Sequence, residues 1–252
     1  ARQNYRFAAF GDAGGRTALR WGLQRAAELG ADFVLHVGDF YYADGDVEGA
    51  AAALRDAAVP VYAAIGNHDF HGGHRNRHRE FTDAIGPRNA YFALGGVLFA
   101  NLDTAADTVP AGAGRRGDVL AALPGRASLM TLDAPTPLVV FTHRPLDDPR
   151  VVDGSREASH ALNRRAEAEW LRDFVLGVGD VDWIAGHVHA SHAFEHDGLR
   201  QWVAGDGLGL RGEQARILVG DWTPGGAVSL RFEPLAMPAV TLAQVLAENP
   251  DR

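Results

Sequence analysis

Short apolar runs bounded by glycine or polar residues recur along this chain, at Tyr5 to Phe10, Phe33 to Val37, Val61 to Ile65, Leu138 to Thr142 and Val181 to Ala185. Each has the length of a buried strand, and a polar motif follows each one directly. Between the first two runs, Leu19, Leu23 and Ala26/Ala27 recur at helical spacing within Arg16 to Leu29, which predicts a βαβ unit. The alanine-rich stretch Glu48 to Ala58 predicts a helix that stops before Pro60, and the run from Val61 completes a second βαβ unit. Arg75 to Ile85 reads as a helix closed by Gly86-Pro87, and Ala90 to Ala93 with Val97 to Asn101 as a hairpin around Gly95-Gly96.

The stretch Thr104 to Pro137 is rich in Gly, Ala and Pro, and its weak periodicity suggests only a short helix at Arg116 to Leu123. Arg156 to Leu176 predicts a longer helix. Ala190 to His196, Arg200 to Val203, Arg216 to Val219 and Ala227 to Phe232 resemble antiparallel strands joined by Gly- and Asp-containing turns. Units of βαβ type followed by a meander predict an α/β sandwich with mixed sheets rather than a purely parallel one. Nothing reads as a linker, so residues 1–252 are expected to form a single domain, with a motif core over about 5–232 and a C-terminal extension over 233–252.

Composition narrows the chemistry. The chain has no cysteine, which removes thiolate ligands, cysteine nucleophiles and disulfides together, so a metal must be held by N and O donors. A formal charge of -8 disfavours extended nucleic acid as a partner, whereas a small anion caught by metal ions fits. No apolar run approaches the ~20 residues of a membrane span, so no membrane partner is expected. Ala1 is followed within a few residues by the first strand-like run, and any export signal is expected to be absent or already removed.

The motifs that follow the apolar runs carry the information. They are Gly11-Asp12-Ala13-Gly14, Gly38-Asp39-Phe40-Tyr41-Tyr42, Gly66-Asn67-His68-Asp69, His143, and Gly186-His187-Val188-His189. Gly-Asp by itself is most often a turn, and it also occurs at 45–46, 117–118, 179–180, 205–206 and 220–221. Asp12 and Asp39 differ in standing at the carboxyl end of a strand, where ligands are usually bound. Asn67 offers a carbonyl oxygen to a metal, and His68 a proton donor or acceptor near neutral pH. On an extended segment His187 and His189 would point to the same face. His143 follows Val139, Val140 and Phe141, where a polar ring must be bonded or ligated.

The ordered series resembles the calcineurin-like metallophosphoesterase superfamily over roughly Tyr5 to Phe232, and within it most resembles a small purple acid phosphatase. Many metallophosphoesterases read Gly-Asp-x-His in the first block; this chain has Gly14 there, and Tyr42, three residues after Asp39, takes the place of the missing imidazole. The resemblance implies an αββα sandwich of two mixed β-sheets flanked by helices. It implies that Asp12, Asp39, Tyr42 and His189 hold a first metal ion, Fe(III). Asp39, Asn67, His143 and His187 would hold a second, Fe(II), Zn(II) or Mn(II). A phenolate is a hard anionic donor suited to a trivalent ion, and the mixed His, Asn and carboxylate set suits a borderline divalent one.

The implied activity is hydrolysis of small phosphate monoesters. Two cations ~3.5–4 Å apart would share the Asp39 carboxylate, generate hydroxide from a bound water at mildly acidic pH and neutralise charge on the phosphoryl oxygens. Asn67 and His68 would bind the phosphate, and His68 would protonate the leaving alkoxide. Asp69 would orient His68 or cap the following turn. Animal and plant purple acid phosphatases carry a further histidine beyond the one matching His143, and Arg144 to Val152 contains none; His160, His192 or the cluster His71, His74 and His78 are the substitutes the sequence offers. Arg75, His78 and Arg79 would share a helix face and either meet anionic groups of a substrate or stay solvated.

Two other functions use the same residues. A phosphodiesterase, including one for cyclic nucleotides, would need the same ligands. A metal-binding interaction module without catalysis would not need an unligated His68 beside its ligands, and a chain using the motifs only as turns would bind no metal. A periplasmic or secreted location is expected, because related enzymes are often exported.

Overall fold

The computed structural model describes residues 4–69, 77–105, 114–130, 135–157, 159–205 and 215–248. In chain order its elements begin with β1 (Tyr5–Phe10), α1 (Thr17–Glu28), β2 (Phe33–His36), α2 (Asp46–Arg55), β3 (Val61–Ala63) and α3 (Arg77–Ala84). β4 (Ala90–Leu94), β5 (Val97–Asn101), α4 (Gly114–Met130), β6 (Pro137–Phe141), α5 (Pro149–Val152) and α6 (Arg165–Leu176) follow. The last are β7 (Asp180–Ala185), β8 (Ser191–His196), β9 (Leu199–Ala204), β10 (Arg216–Trp222), β11 (Ser229–Pro234) and α7 (Ala239–Glu248). The strands form two mixed sheets, in the orders β11-β10-β1-β2-β3 and β4-β5-β6-β7-β9-β8. β1, β2 and β3 run parallel, as do β5, β6, β7 and β9, while antiparallel strands close both ends of the second sheet and one end of the first.

The near-continuous apolar runs follow from burial on both sides of each sheet. In β1, Tyr5, Phe7 and Ala9 face the other sheet, while Ala8 and Phe10 face the helices. The inter-sheet layer joins Phe7, Phe33 and Leu35 of the first sheet to Phe99, Val139, Phe141 and Ile184 of the second. Phe7 meets Phe99 edge to face at 5.6 Å. Leu19, Leu23, Ala50, Ala53 and Val245 cover the outer face of the first sheet. Leu120, Leu123, Leu171 and Val175 cover that of the second. The result is the four-layer αββα arrangement.

Several boundaries depart from the sequence expectation. The helix read over Arg156 to Leu176 begins only at Arg165. Asp148 accepts from Arg150 N as the cap of α5 and from His160 N, so the intervening chain folds back instead of continuing as helix. α4 extends well past Arg116 to Leu123 and contains Pro124, the residue that masked its periodicity. Its Arg116 forms a buried pair with Glu167 of α6 at 2.5 Å, tying two helices over the second sheet. The last four strands are not one meander: β8 and β9 form a hairpin whose β9 pairs parallel with β7, whereas β10 and β11 complete the other sheet. α7 lies in the segment set apart as an extension, and its Glu248 accepts from Thr17 N and Thr17 Oγ1, satisfying the start of α1 with a carboxylate. Among the described residues no helix is long and apolar enough to cross a membrane.

Candidate metal centre

The motifs meet along one edge of the sandwich. β1, β2 and β3 of the first sheet deliver Asp12, Asp39 with Tyr42, and Asn67 with His68; β6 and β7 of the second deliver His143, and His187 with His189. Asp12, Asp39 and His143 are completely buried, and a ligand atom from each lies within 4.8 Å of the others. His189 Nε2 lies 3.4 Å from Asp12 Oδ1, and the Tyr42 hydroxyl donates to Asp39 Oδ2 at 2.9 Å. Asn67 Oδ1 is 2.8 Å from His143 Nε2, and the His187 ring packs edge-on to His143 at 5.0 Å. The candidate ligands thus form one connected cluster.

Backbone geometry sets these side chains. Asp12, Asp39, His187 and His189 all adopt left-handed conformations, with φ of 59°, 62°, 68° and 54°. Four non-glycine residues in that region within one site mark strain concentrated where chemistry happens. It also corrects the extended geometry expected for His187 and His189: both lie past the end of β7, half-buried, with fully buried Val188 between them. Glycine is required where the carboxylates approach the chain closely. A Cβ on Gly66 would overlap Asp39 Oδ1, and one on Gly205 would overlap Asp12 Oδ2.

The electrostatics suit cations. His143 Nδ1 donates to Val37 O at 2.9 Å, which turns Nε2 toward Asn67 Oδ1 and, at 3.4 Å, Asp39 Oδ1. Nitrogen and oxygen donors that meet beside two buried carboxylates form a set that a positive ion would complete. Burial alone would raise the Asp39 carboxyl, but His143, His68, the His68 N–H and the Tyr42 hydroxyl hold it below the usual carboxylate range. Burial, followed by His143 and Arg144, pushes His187 far down, so its ring is neutral.

Asp69 does not orient the His68 ring. Its carboxylate accepts from the backbone N–H groups of Gly66, Asp39, Phe40 and Tyr41, which fastens the Asp39 loop to the Asn67 loop. Burial and then the Asp39 charge push it up to about 8, against the pull of the Gly66, Phe40 and Tyr41 N–H groups. Beneath the same loop His36 is fully buried and stacked on Phe40 at 3.9 Å, and burial pushes its ring down to about 3. His68 is the exposed member of its motif: its N–H donates to Asp39 Oδ1 at 3.0 Å, and its ring lies 4.7 Å from that of Tyr42.

A model of the calcineurin-like phosphoesterase family matches residues 5–191. The chain belongs to that family. As a calcineurin-like phosphoesterase it is a hydrolase of phosphoesters, and the family is dimetal-dependent. Similar folds include a dimetal phosphatase from Danio rerio, at 11% identity and a TM-score of 0.63, covering 92% of this chain and 96% of that one. They also include GAP50, the anchor in the inner membrane complex of Plasmodium, at 12% identity, 0.60, and 93% and 86% coverage. Phosphopantetheinyl hydrolase (PptH) from Mycobacterium tuberculosis is a third, at 15% identity, 0.50, and 95% and 100% coverage. No curated protein sequence matches the chain.

Three residues outside the expected set, Asp46, Gly205 and Arg144, help build the candidate site, and the expected substitute His160 lies beside it. Asp46, part of a Gly-Asp pair read as a turn, accepts from Tyr42 N and Ala43 N and so positions the tyrosine loop. Gly205, from another such pair, packs on Asp12. Arg144 reaches His187, and the His160 ring lies 5.9 Å from that of His187. His192 is an exposed residue of β8, while His71, His74 and Arg75 lie outside the described residues, as does the His78 side chain. Arg79 is exposed and pairs with Asp83 at 3.3 Å, which fits a solvated helix face. Gly205→Ala is expected to cost about 1–3 kcal/mol, the scale for overpacking a filled interior, and to lower metal content. Thermal unfolding and elemental analysis check this, and native values in both would show that the Asp12 carboxylate has room to move.

Proposed function

We propose that this calcineurin-like phosphoesterase is a phosphomonoesterase of purple acid phosphatase type, acting on small phosphate esters with residues 1–252 as one catalytic domain. The observation that carries the reading is the place of Tyr42. Its hydroxyl meets the Asp39 carboxylate, and its ring stands over Gly14, where an added Cβ would come within 3.3 Å of Tyr42 Cδ2. The phenol therefore fills the space beside the first motif where many relatives carry a histidine.

In this reading Asp12, Asp39, Tyr42 and His189 hold Fe(III), and Asp39, Asn67, His143 and His187 hold Fe(II), Zn(II) or Mn(II). The ions supply Lewis acidity, polarising the phosphoryl group and lowering the pKa of a water. The protein supplies the rest. Val37 O fixes the tautomer of His143, Asp69 holds the loops of Asp39 and Asn67 in register, and Asp46 holds Tyr42. Asn67 and His68 bind the phosphate, and the exposed His68 ring delivers a proton to the leaving oxygen. An unligated histidine at the mouth supports catalysis over a purely structural metal site.

Purified with its metals, the protein is expected to carry two ions per chain, iron included, and its oxidised form to be violet from phenolate-to-Fe(III) charge transfer. Tyr42→Phe should remove the visible band and leave the fold intact. Oxidised, iron-loaded but colourless protein would overturn the subtype while leaving the family assignment standing. Parallel assays with p-nitrophenyl phosphate and bis-p-nitrophenyl phosphate at several pH values separate monoesterase from diesterase.

A further inference from the structure

Arg144 directly follows His143, and the chain delivers its guanidinium to the site with unusual care. Its backbone N–H donates to Thr104 Oγ1 at 2.8 Å, and its carbonyl accepts from both Thr104 Oγ1 at 3.2 Å and Thr142 Oγ1 at 3.0 Å. Two hydroxyls from neighbouring strand ends thus pin the peptide of one half-buried residue. The side chain then runs toward the second sheet's histidines, where Nη1 lies 2.9 Å from His187 Nε2 and Nε faces Ala105 O at 3.4 Å. A guanidinium has no acceptor, so the ring nitrogen accepts. A fixed positive charge therefore stands against a candidate ligand.

The other arginines of this wall are differently placed. Arg150 forms a two-bonded pair with Asp148, at 3.0 and 2.9 Å. Arg156 is exposed and bonds through its backbone to Arg150 O. Among the described residues, Arg144 is the arginine hydrogen-bonded to a candidate ligand. On a chain of net charge -8, a cation pinned there is not part of a generally basic surface.

We propose that Arg144 binds the non-bridging oxygens of the substrate phosphate and selects dianionic monoesters over monoanionic diesters at this site. The inference rests on the phosphoesterase reading above and names its substrate class. The planar fork of a guanidinium matches two phosphate oxygens at once, and a second negative charge on the ester strengthens the attraction. A diester lacks that charge and has an alkyl or aryl group on one of those oxygens. Lysine at this position would keep the charge and lose the fork.

The test compares wild type, Arg144→Gln and Arg144→Lys after loading with manganese(II). Metal content and melting temperature should match wild type in both variants. KM for p-nitrophenyl phosphate and the dissociation constant of inorganic phosphate, read by calorimetry, should rise roughly 10–150-fold in Arg144→Gln, the scale of a hydrogen bond to a charged group. Bis-p-nitrophenyl phosphate kinetics should change far less, and Arg144→Lys should recover only part of the loss. Equal losses on both esters, unchanged phosphate affinity, or loss of metal in both variants would overturn the assignment. If wild type cleaves neither ester, the proposed function fails, and the phosphate titration still decides the role of Arg144.

Discussion

Asp39→Asn is expected to strip metal from the protein and lower turnover by at least about 10³-fold, the scale of losing one main electrostatic stabiliser of a transition state. Asp39 is tied into the cluster from several sides: it receives the Tyr42 hydroxyl and the His68 N–H, and lies 3.4 Å from His143. Under the proposed ligand set it alone touches both ions. The amide keeps the shape and removes the charge, so two buried cations would lose their shared counter-charge. Asp12→Asn, which borders one ion, should retain more metal. Elemental analysis and steady-state kinetics give the answer, and an Asp39→Asn protein with full metal and near-native turnover would remove Asp39 as the bridge.

His68→Ala should behave in the opposite way, keeping metal and fold while losing about 10²–10⁴-fold in turnover, the range for one general acid–base group. His68 is exposed with its ring beside that of Tyr42, and its hydrogen bond to Asp39 is made by the backbone N–H, which alanine preserves. The loss should be larger for alkyl phosphates than for p-nitrophenyl phosphate, because an alkoxide needs a proton as it leaves and a nitrophenolate barely does. Loss of metal would make His68 a ligand and displace Asn67 from that role. Equal loss on both substrates would make it a phosphate-binding group rather than a proton donor.

The strand ends were legible in the chain because the site demands what a core forbids. Asp12, Asp39, Asn67 and His143 each break an apolar run at the point where the structure turns toward the cluster. Long-range contacts were not legible. Gly205 carries the same dipeptide signal as an ordinary turn, and only the fold brings it against Asp12. Arg144 has no local pattern at all, since its place is set by Thr104 beyond the end of β5 and His187 beyond the end of β7. The late start of α6 depends on the Asp148 carboxylate reaching back to His160, and α7 is held by its contact with α1. Periodicity records which face of an element is buried, not which element buries it.

The cluster is divided by donor chemistry. Every candidate oxygen ligand, on Asp12, Asp39, Tyr42 and Asn67, hangs from the first sheet, and every imidazole, on His143, His187 and His189, hangs from the second. A nascent chain therefore exposes its hard, oxygen-only half long before the last histidine leaves the ribosome. Under the proposed ligand set, that early half offers a hard donor set, two carboxylates, a phenol and an amide oxygen, and lacks the imidazoles that suit a borderline divalent ion. Under that ligand set, each ion's donors come together only where the two sheets meet, so the complete sites are a property of the closed sandwich rather than of any one loop.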